Sequence, residues 1–131
     1  MLAKLTARDY MTKNPFVLKP DTDVFEAIRQ FIERKITGVP VVDESGQLVG
    51  LFSELDCMKA VATASYFEEM PGKIGDLMTT EFQRVPPTIS IVELAELFSQ
   101  ATLRQFPVVD EGKLVGVISR VDVLRALVKN W

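Results

Sequence analysis

The apolar positions of this chain switch between two periodicities. From Asp23, residues Val24, Ala27, Ile28, Phe31 and Ile32 fall at i, i+3, i+4, i+7 and i+8, the stripe of an amphipathic helix. Ile91, Leu94, Ala95 and Phe98 draw a second stripe of the same kind. Asp23 stands three residues before Glu26, and Ser90 three before Glu93, so each helix carries an N-cap acceptor followed by an acidic N3 side chain. Beyond each helix the pattern changes to short β-branched runs. Val39-Pro40-Val41-Val42, a turn at Asp43-Glu44-Ser45-Gly46 and then Leu48 to Phe52 predict a β-hairpin. Val108-Val109 and Leu114 to Ile118 predict another, around Asp110-Glu111-Gly112-Lys113, where Gly112 can supply the positive φ of a tight turn. A further helix follows each hairpin, from Ser53 and from Ser119. The pattern assigns Leu55, Met58, Val61 and Ala62 to the inner face of the first, and Val121, Leu124, Leu127 and Val128 to that of the second. Short strands are expected at Phe16 to Leu18 and Arg84 to Val85, which completes a βαββα unit.

The unit occurs twice. Asp9-Tyr10-Met11-Thr12 is answered by Asp76-Leu77-Met78-Thr79 at an offset of 67, which holds for Pro20/Pro87, Glu26/Glu93, Phe31/Phe98 and Pro40 to Glu44/Pro107 to Glu111. One residue is dropped at the turn near Ser45. The match then resumes at an offset of 66 with Gly46/Gly112, Leu48-Val49-Gly50/Leu114-Val115-Gly116, Ser53/Ser119, Asp56/Asp122 and Ala60/Ala126. Two copies are too few for an open solenoid, so they are expected to pack face to face about a pseudo-twofold. The repeats divide the chain at 1–66 and 67–131, an α+β fold of two tandem βαββα units packed sheet to sheet. Between them Ala64 to Lys73 reads as a helix end and a linker, with Tyr66, Phe67 and Met70 expected to cap one end of the core.

Composition narrows the chemistry. The chain has 131 residues, 47% of them apolar, which suffices for a real core. It has no histidine and one cysteine, Cys57, which removes Ser-His and Cys-His nucleophile pairs, histidine metal sites and an intrachain disulfide. Cys57 lies on the side of its helix away from Leu55 and Met58 and is expected to be a small packing residue. The seven glycines are dispersed, so no phosphate-cradling loop forms, and Gly50 and Gly116 are expected to permit close strand packing. No enzyme is expected. The 15 basic and 18 acidic residues are scattered, without the concentrated positive footprint that nucleic-acid binding needs. Met1 to Arg8 lacks the apolar region of a signal peptide and no apolar run is long enough for a membrane span, so a soluble cytoplasmic chain is expected.

Duplicated βαββα units with V-P-V-V-D before the hairpin turn, and G-L-F-S-E-L-D or G-V-I-S-R-V-D after it, resemble the cystathionine-β-synthase (CBS) domain; two in tandem resemble a Bateman module. The resemblance spans about Asp9 to Val128. It implies clefts that bind an adenosyl ligand, AMP, ADP, ATP or S-adenosylmethionine, with magnesium as a companion of a triphosphate and no required cofactor. It also implies a homodimer and a regulated partner protein. No effector domain is expected beside the pair, so the resemblance implies a free-standing regulatory module. The alternative is an assembly module with vestigial pockets, which the abundance of apolar helix surface also suits.

Ser53 and Asp56, and again Ser119 and Asp122, lie where a strand gives way to a helix, so free amides and the positive end of the helix dipole meet there. A carboxylate can accept both hydroxyls of a ribose, and a serine hydroxyl can bond phosphate. The resemblance gives the same roles, Asp on ribose and Ser on phosphate. The same S-x-x-D spacing also makes a helix capping box, and the two readings stand side by side. The copies differ beside these anchors. Arg120 and Arg104 flank the second, as candidate phosphate clamps, where the first has Glu54 and Thr37. A phosphorylated nucleotide is therefore expected to prefer the cleft of Ser119 and Asp122. Gly38-Val39-Pro40 and Gln105-Phe106-Pro107 can offer an apolar slot for adenine, with the prolines leaving carbonyls free. Thr12 and Thr79 are further pocket candidates.

Overall fold

A computed structural model describes residues 2–131 and shows a mixed α+β fold. After a 3-10 turn at Leu2–Lys4 come α1 (Ala7–Tyr10), β1 (Thr12–Lys13), α2 (Val24–Arg34), β2 (Gly38–Val42), β3 (Leu48–Ser53) and α3 (Glu54–Tyr66). A 3-10 turn at Ile74–Asp76 leads into α4 (Ile91–Gln100), β4 (Gln105–Asp110), β5 (Lys113–Ser119) and α5 (Arg120–Asn130).

The caps form where the sequence puts them. Asp23 accepts from the Phe25 amide at 2.9 Å and Ser90 Oγ from the Glu93 amide at 3.0 Å. Both hairpins are present, β2 antiparallel to β3 and β4 antiparallel to β5. In the second, Glu111 and Gly112 both take positive φ, 52° and 83°, the backbone that matches a two-residue turn to the twist of its strands. The expected strands at Phe16 to Leu18 and Arg84 to Val85 are reduced to single parallel bridges, Leu18 to Val41 and Val85 to Val108.

The compact units are residues 16–82, and residues 1–15 with 83–131. They cross the sequence repeats because each repeat's leading segment pairs with the other repeat. The Ala7 amide donates to Ile89, Arg8 to Pro87, and Ile91 back to Leu5, at 2.9, 3.1 and 2.9 Å. The same three bonds recur 67 residues later. Ile74 donates to Thr22, Gly75 to Pro20, and Val24 to Gly72, at 2.9, 2.8 and 2.9 Å. In the unit of residues 1–15 and 83–131, β1 joins β5 and β4 in a three-stranded sheet, and in the unit of residues 16–82 Thr79 pairs with Leu51 beside β2 and β3.

Each unit has its own core. One gathers Val24, Ala27 and Phe31 of α2 with Val39, Val41 and Phe52, whose rings with Phe31 are 6.2 Å apart. The other gathers Ile91, Leu94 and Phe98 of α4 with Val108, Ile118 and Phe106, the last stacked on Phe98 at 4.3 Å. The second helix of each repeat turns a face to its sheet other than the one its large residues suggest. α3 buries Cys57, Ala60 and Ala64, and α5 buries Val123 and Ala126 with Asp122. Leu55, Met58, Val121, Leu124 and Val128 are exposed, as is Ala62, and Val61 and Leu127 are half-buried. Small side chains let these helices lie close to the strands, which leaves the bulky ones outside. Tyr66, Phe67 and Met70 do not cap the core; all three are exposed.

Candidate functional site

At the head of α3 the Ser53 amide donates to Asp56 Oδ2 at 2.9 Å, and the Asp56 amide donates to Ser53 Oγ at 3.3 Å, a complete capping box. The head of α5 repeats it, Ser119 amide to Asp122 Oδ2 at 2.8 Å and Asp122 amide to Ser119 Oγ at 3.2 Å. The capping reading of S-x-x-D is thus realised in both copies. It uses one carboxylate oxygen per aspartate and leaves Oδ1 for other work. Two first-turn amides of each helix are also engaged rather than free. Glu54 donates to the Thr37 carbonyl at 2.9 Å and Arg120 to that of Arg104 at 3.1 Å, besides the capped Asp56 and Asp122 amides.

The remaining oxygen separates the copies. Among the described residues Asp56 Oδ1 accepts only a long bond, 3.3 Å, from Thr79 Oγ1, which also lies 3.5 Å from Oδ2. Thr79 reaches it because the leading segment of the second repeat is docked on the first. Asp122 Oδ1 instead holds Arg125 Nη1 at 2.9 Å, in a pair whose aspartate is largely buried. Thr12, the counterpart of Thr79, is exposed on β1 opposite Val117.

Thr37 with Glu54, and Arg104 with Arg120, are brought side by side by the backbone bonds just described. The residues beside the two helix heads therefore differ in charge, two arginines at one and Glu54 with Thr37 at the other. Arg120 is not wholly free, since its Nη2 donates to the Ala101 carbonyl at the end of α4 at 3.0 Å, where a cation suits the helix dipole. A guanidinium has five donors, so others remain for a ligand.

Gly38 opens β2 half-exposed, opposite Ser53. Val39, Pro40, Phe106 and Pro107 are buried, with Val39 and Phe106 in the two cores. The proline carbonyls are not left free: Pro40 accepts from Leu18 and Pro107 from Val85, each at 3.1 Å. Those bonds from the leading segments occupy the carbonyls that the sequence leaves open for adenine.

Cys57 is buried against the first core, and burial first, then the charge of Asp56, pushes its thiol up to about 11. At pH 8 a disulfide exchange reagent should label it far more slowly in the native protein than in denaturant. Because the folded value is raised, this thiol supports the fold fully below about pH 9 and loses that support as pH rises through about 11. Native labelling at the denatured rate would overturn the assignment. Among the described residues no group of three or more metal-ligating side chains assembles, and no helix is long and apolar enough to cross a membrane.

The family model of the CBS domain matches residues 7–63 and 74–129. The uncharacterized protein MJ1225 of Methanocaldococcus jannaschii is 31% identical over 95% of this chain, and the chloroplastic CBS domain-containing protein CBSX2 of Arabidopsis thaliana 33% identical over 92%. The chain spans 43% and 63% of the lengths of these two relatives. The crystal structure of CBSX2 in complex with AMP superposes with a TM-score of 0.85 at 33% identity, covering 95% of this chain and 97% of that one. The CBS pair of protein MJ0100 in complex with 5′-methylthioadenosine and S-adenosyl-L-methionine superposes at 0.78 with 25% identity, covering 96% and 98%.

Proposed function

Because the chain belongs to the CBS-domain family and carries the domain twice, we propose that it is a regulatory module that binds an adenosyl ligand on its S-x-x-D loops and signals the bound state to a partner protein. The observation that carries this reading is Asp56 Oδ1, held among the described residues only by a 3.3 Å hydroxyl contact and so open to a ribose diol. The similar pairs bound to AMP, and to 5′-methylthioadenosine with S-adenosylmethionine, support the ligand class. The chain itself is not an enzyme in this reading. Signalling requires that the ligand prefer one arrangement of the module over another.

The two loops take different ligands. Arg104 and Arg120 suit the Ser119 loop to a phosphate, and Glu54 with Thr37 suits the Ser53 loop to an adenosyl compound without one. A charge-assisted hydrogen bond is worth about 1.5–3 kcal/mol, so Arg120→Glu should weaken AMP roughly ten- to hundredfold and leave adenosine nearly unchanged. Isothermal titration of both ligands checks it, and equal loss of the two removes the clamp. The direct test of the function is a thermal-shift series with adenosine, AMP, ADP, ATP with and without magnesium, and S-adenosylmethionine, with GMP as the control.

A second reading rests on the outer faces of α3 and α5, where Leu55, Met58, Val121 and Leu124 are exposed. It makes the protein a homodimeric assembly module with vestigial pockets. A dimer by light scattering together with no thermal shift for any adenosyl compound would favour it.

A further inference from the structure

Helix α3 borders a cleft whose counterpart positions on α5 are bridged. Asp56, Lys59 and Ala64 on one side of α3 face Glu69 and Met70 of the following segment and Leu77 of the second leading segment, around a space of about 320 Å³. In the other repeat Asn130 stands at the position of Ala64 and Tyr10 at that of Leu77. Asn130 Nδ2 donates to Tyr10 Oη at 2.8 Å and to the Ala126 carbonyl at 2.9 Å, which ties α5 to its leading segment. Arg125 stands at the position of Lys59 and is committed to Asp122 at 2.9 Å. Lys59 forms no ion pair among the described residues and is exposed. Three substitutions between the copies thus do one thing. They remove a bridging phenol, remove a bridging amide, and release a cation.

We infer that this cleft binds a free α-amino acid with an apolar side chain, at a site that adjoins the proposed ribose site and shares Asp56 with it. The chemistry of the lining selects that class. Lys59 offers an ammonium to a carboxylate, Glu69 offers a carboxylate to an ammonium, and Ala60, Ala64, Met70 and Leu77 supply an apolar wall. Two carboxylates against one ammonium disfavour a phosphate there, so a nucleotide is the wrong occupant. The volume is at the small end for ligand pockets, which fits a molecule of amino-acid size.

The test is isothermal titration of the full chain with L-methionine and L-leucine, beside N-acetyl-L-methionine, which lacks the ammonium, and L-methioninamide, which lacks the carboxylate. Both amino acids should bind and both blocked analogues should weaken at least about tenfold. K59Q should weaken L-methionine by a similar factor. A64N/L77Y, which installs the bridge of the other repeat, should abolish L-methionine binding while the protein stays folded and its response to AMP persists. Absence of heat for either amino acid at millimolar concentration overturns the inference, as does binding that both variants leave unchanged. If A64N/L77Y does not fold, K59Q with the blocked analogues decides alone. AMP titration of the unaltered chain keeps the two ideas apart, because amino-acid binding without AMP binding sinks only the adenosyl reading, and the reverse sinks only this one.

Discussion

Gly116→Ala should destabilise the protein by about 1–3 kcal/mol, and clearly more than Gly50→Ala at the matching position. A Cβ on Gly116 would stand 2.7 Å from Met11 Sδ and 2.8 Å from the Thr12 carbonyl oxygen. The carbonyl cannot retreat, because β1 is paired to β5 through Thr12 opposite Val117 and Lys13 opposite Gly116. The three atoms nearest a Cβ on Gly50 all belong to the side chain of Met78, which can change rotamer. Met78→Ala should therefore restore most of the loss in Gly50→Ala, whereas Met11→Ala should leave Gly116→Ala impaired. Denaturant unfolding of the four single and two double variants measures both couplings. Equal losses at the two glycines, or full rescue by Met11→Ala, would show that the methionine alone sets the fit.

These glycines matter to function because the leading segments deliver residues to the loops. Thr79 reaches Asp56 only while Met78 is seated over Gly50 and Thr79 is paired with Leu51. None of that exchange is legible in the sequence. A leading segment that packs on its own repeat and one that packs on the other present nearly the same residues to nearly the same acceptors, so duplication hides the choice. The helix caps are legible because their chemistry is local: Asp23, Ser53, Ser90 and Ser119 satisfy amides two or three residues away. The hairpins are legible for the same reason, through Gly46 and Gly112 at positive φ. The inward faces of α3 and α5 are not, because two stripes at helical spacing compete there. The larger side chains of Leu55 and Met58 suggest burial, but the distance from helix to sheet selects Cys57, Ala60 and Ala64. At the site, the Arg104 and Arg120 pairing follows from the repeat alignment, whereas the capture of Asp122 by Arg125 is a side-chain geometry that spacing alone leaves open.

Asp56→Ala and Asp122→Ala should each show two losses that separate the roles of the carboxylate. Without ligand, each variant loses the cap, about 1 kcal/mol, and Asp122→Ala adds at most about 1 kcal/mol for the half-exposed Arg125 pair. With ligand, the effect is larger. A compound at about 100 times its dissociation constant adds roughly 2.7 kcal/mol to the unaltered protein, and removal of the ribose acceptor should cancel that gain at the affected loop. Because Oδ1 is freer on Asp56, an unphosphorylated adenosyl compound should lose its stabilising effect in Asp56→Ala and keep most of it in Asp122→Ala. AMP should show the opposite order, since the arginines lie beside Ser119. The comparison is internally controlled, for a cap lowers stability equally with and without ligand while a binding residue removes the difference between them. Adenosyl stabilisation of full size in both variants would reduce the two aspartates to caps and transfer the weight of the argument to the exposed faces of α3 and α5.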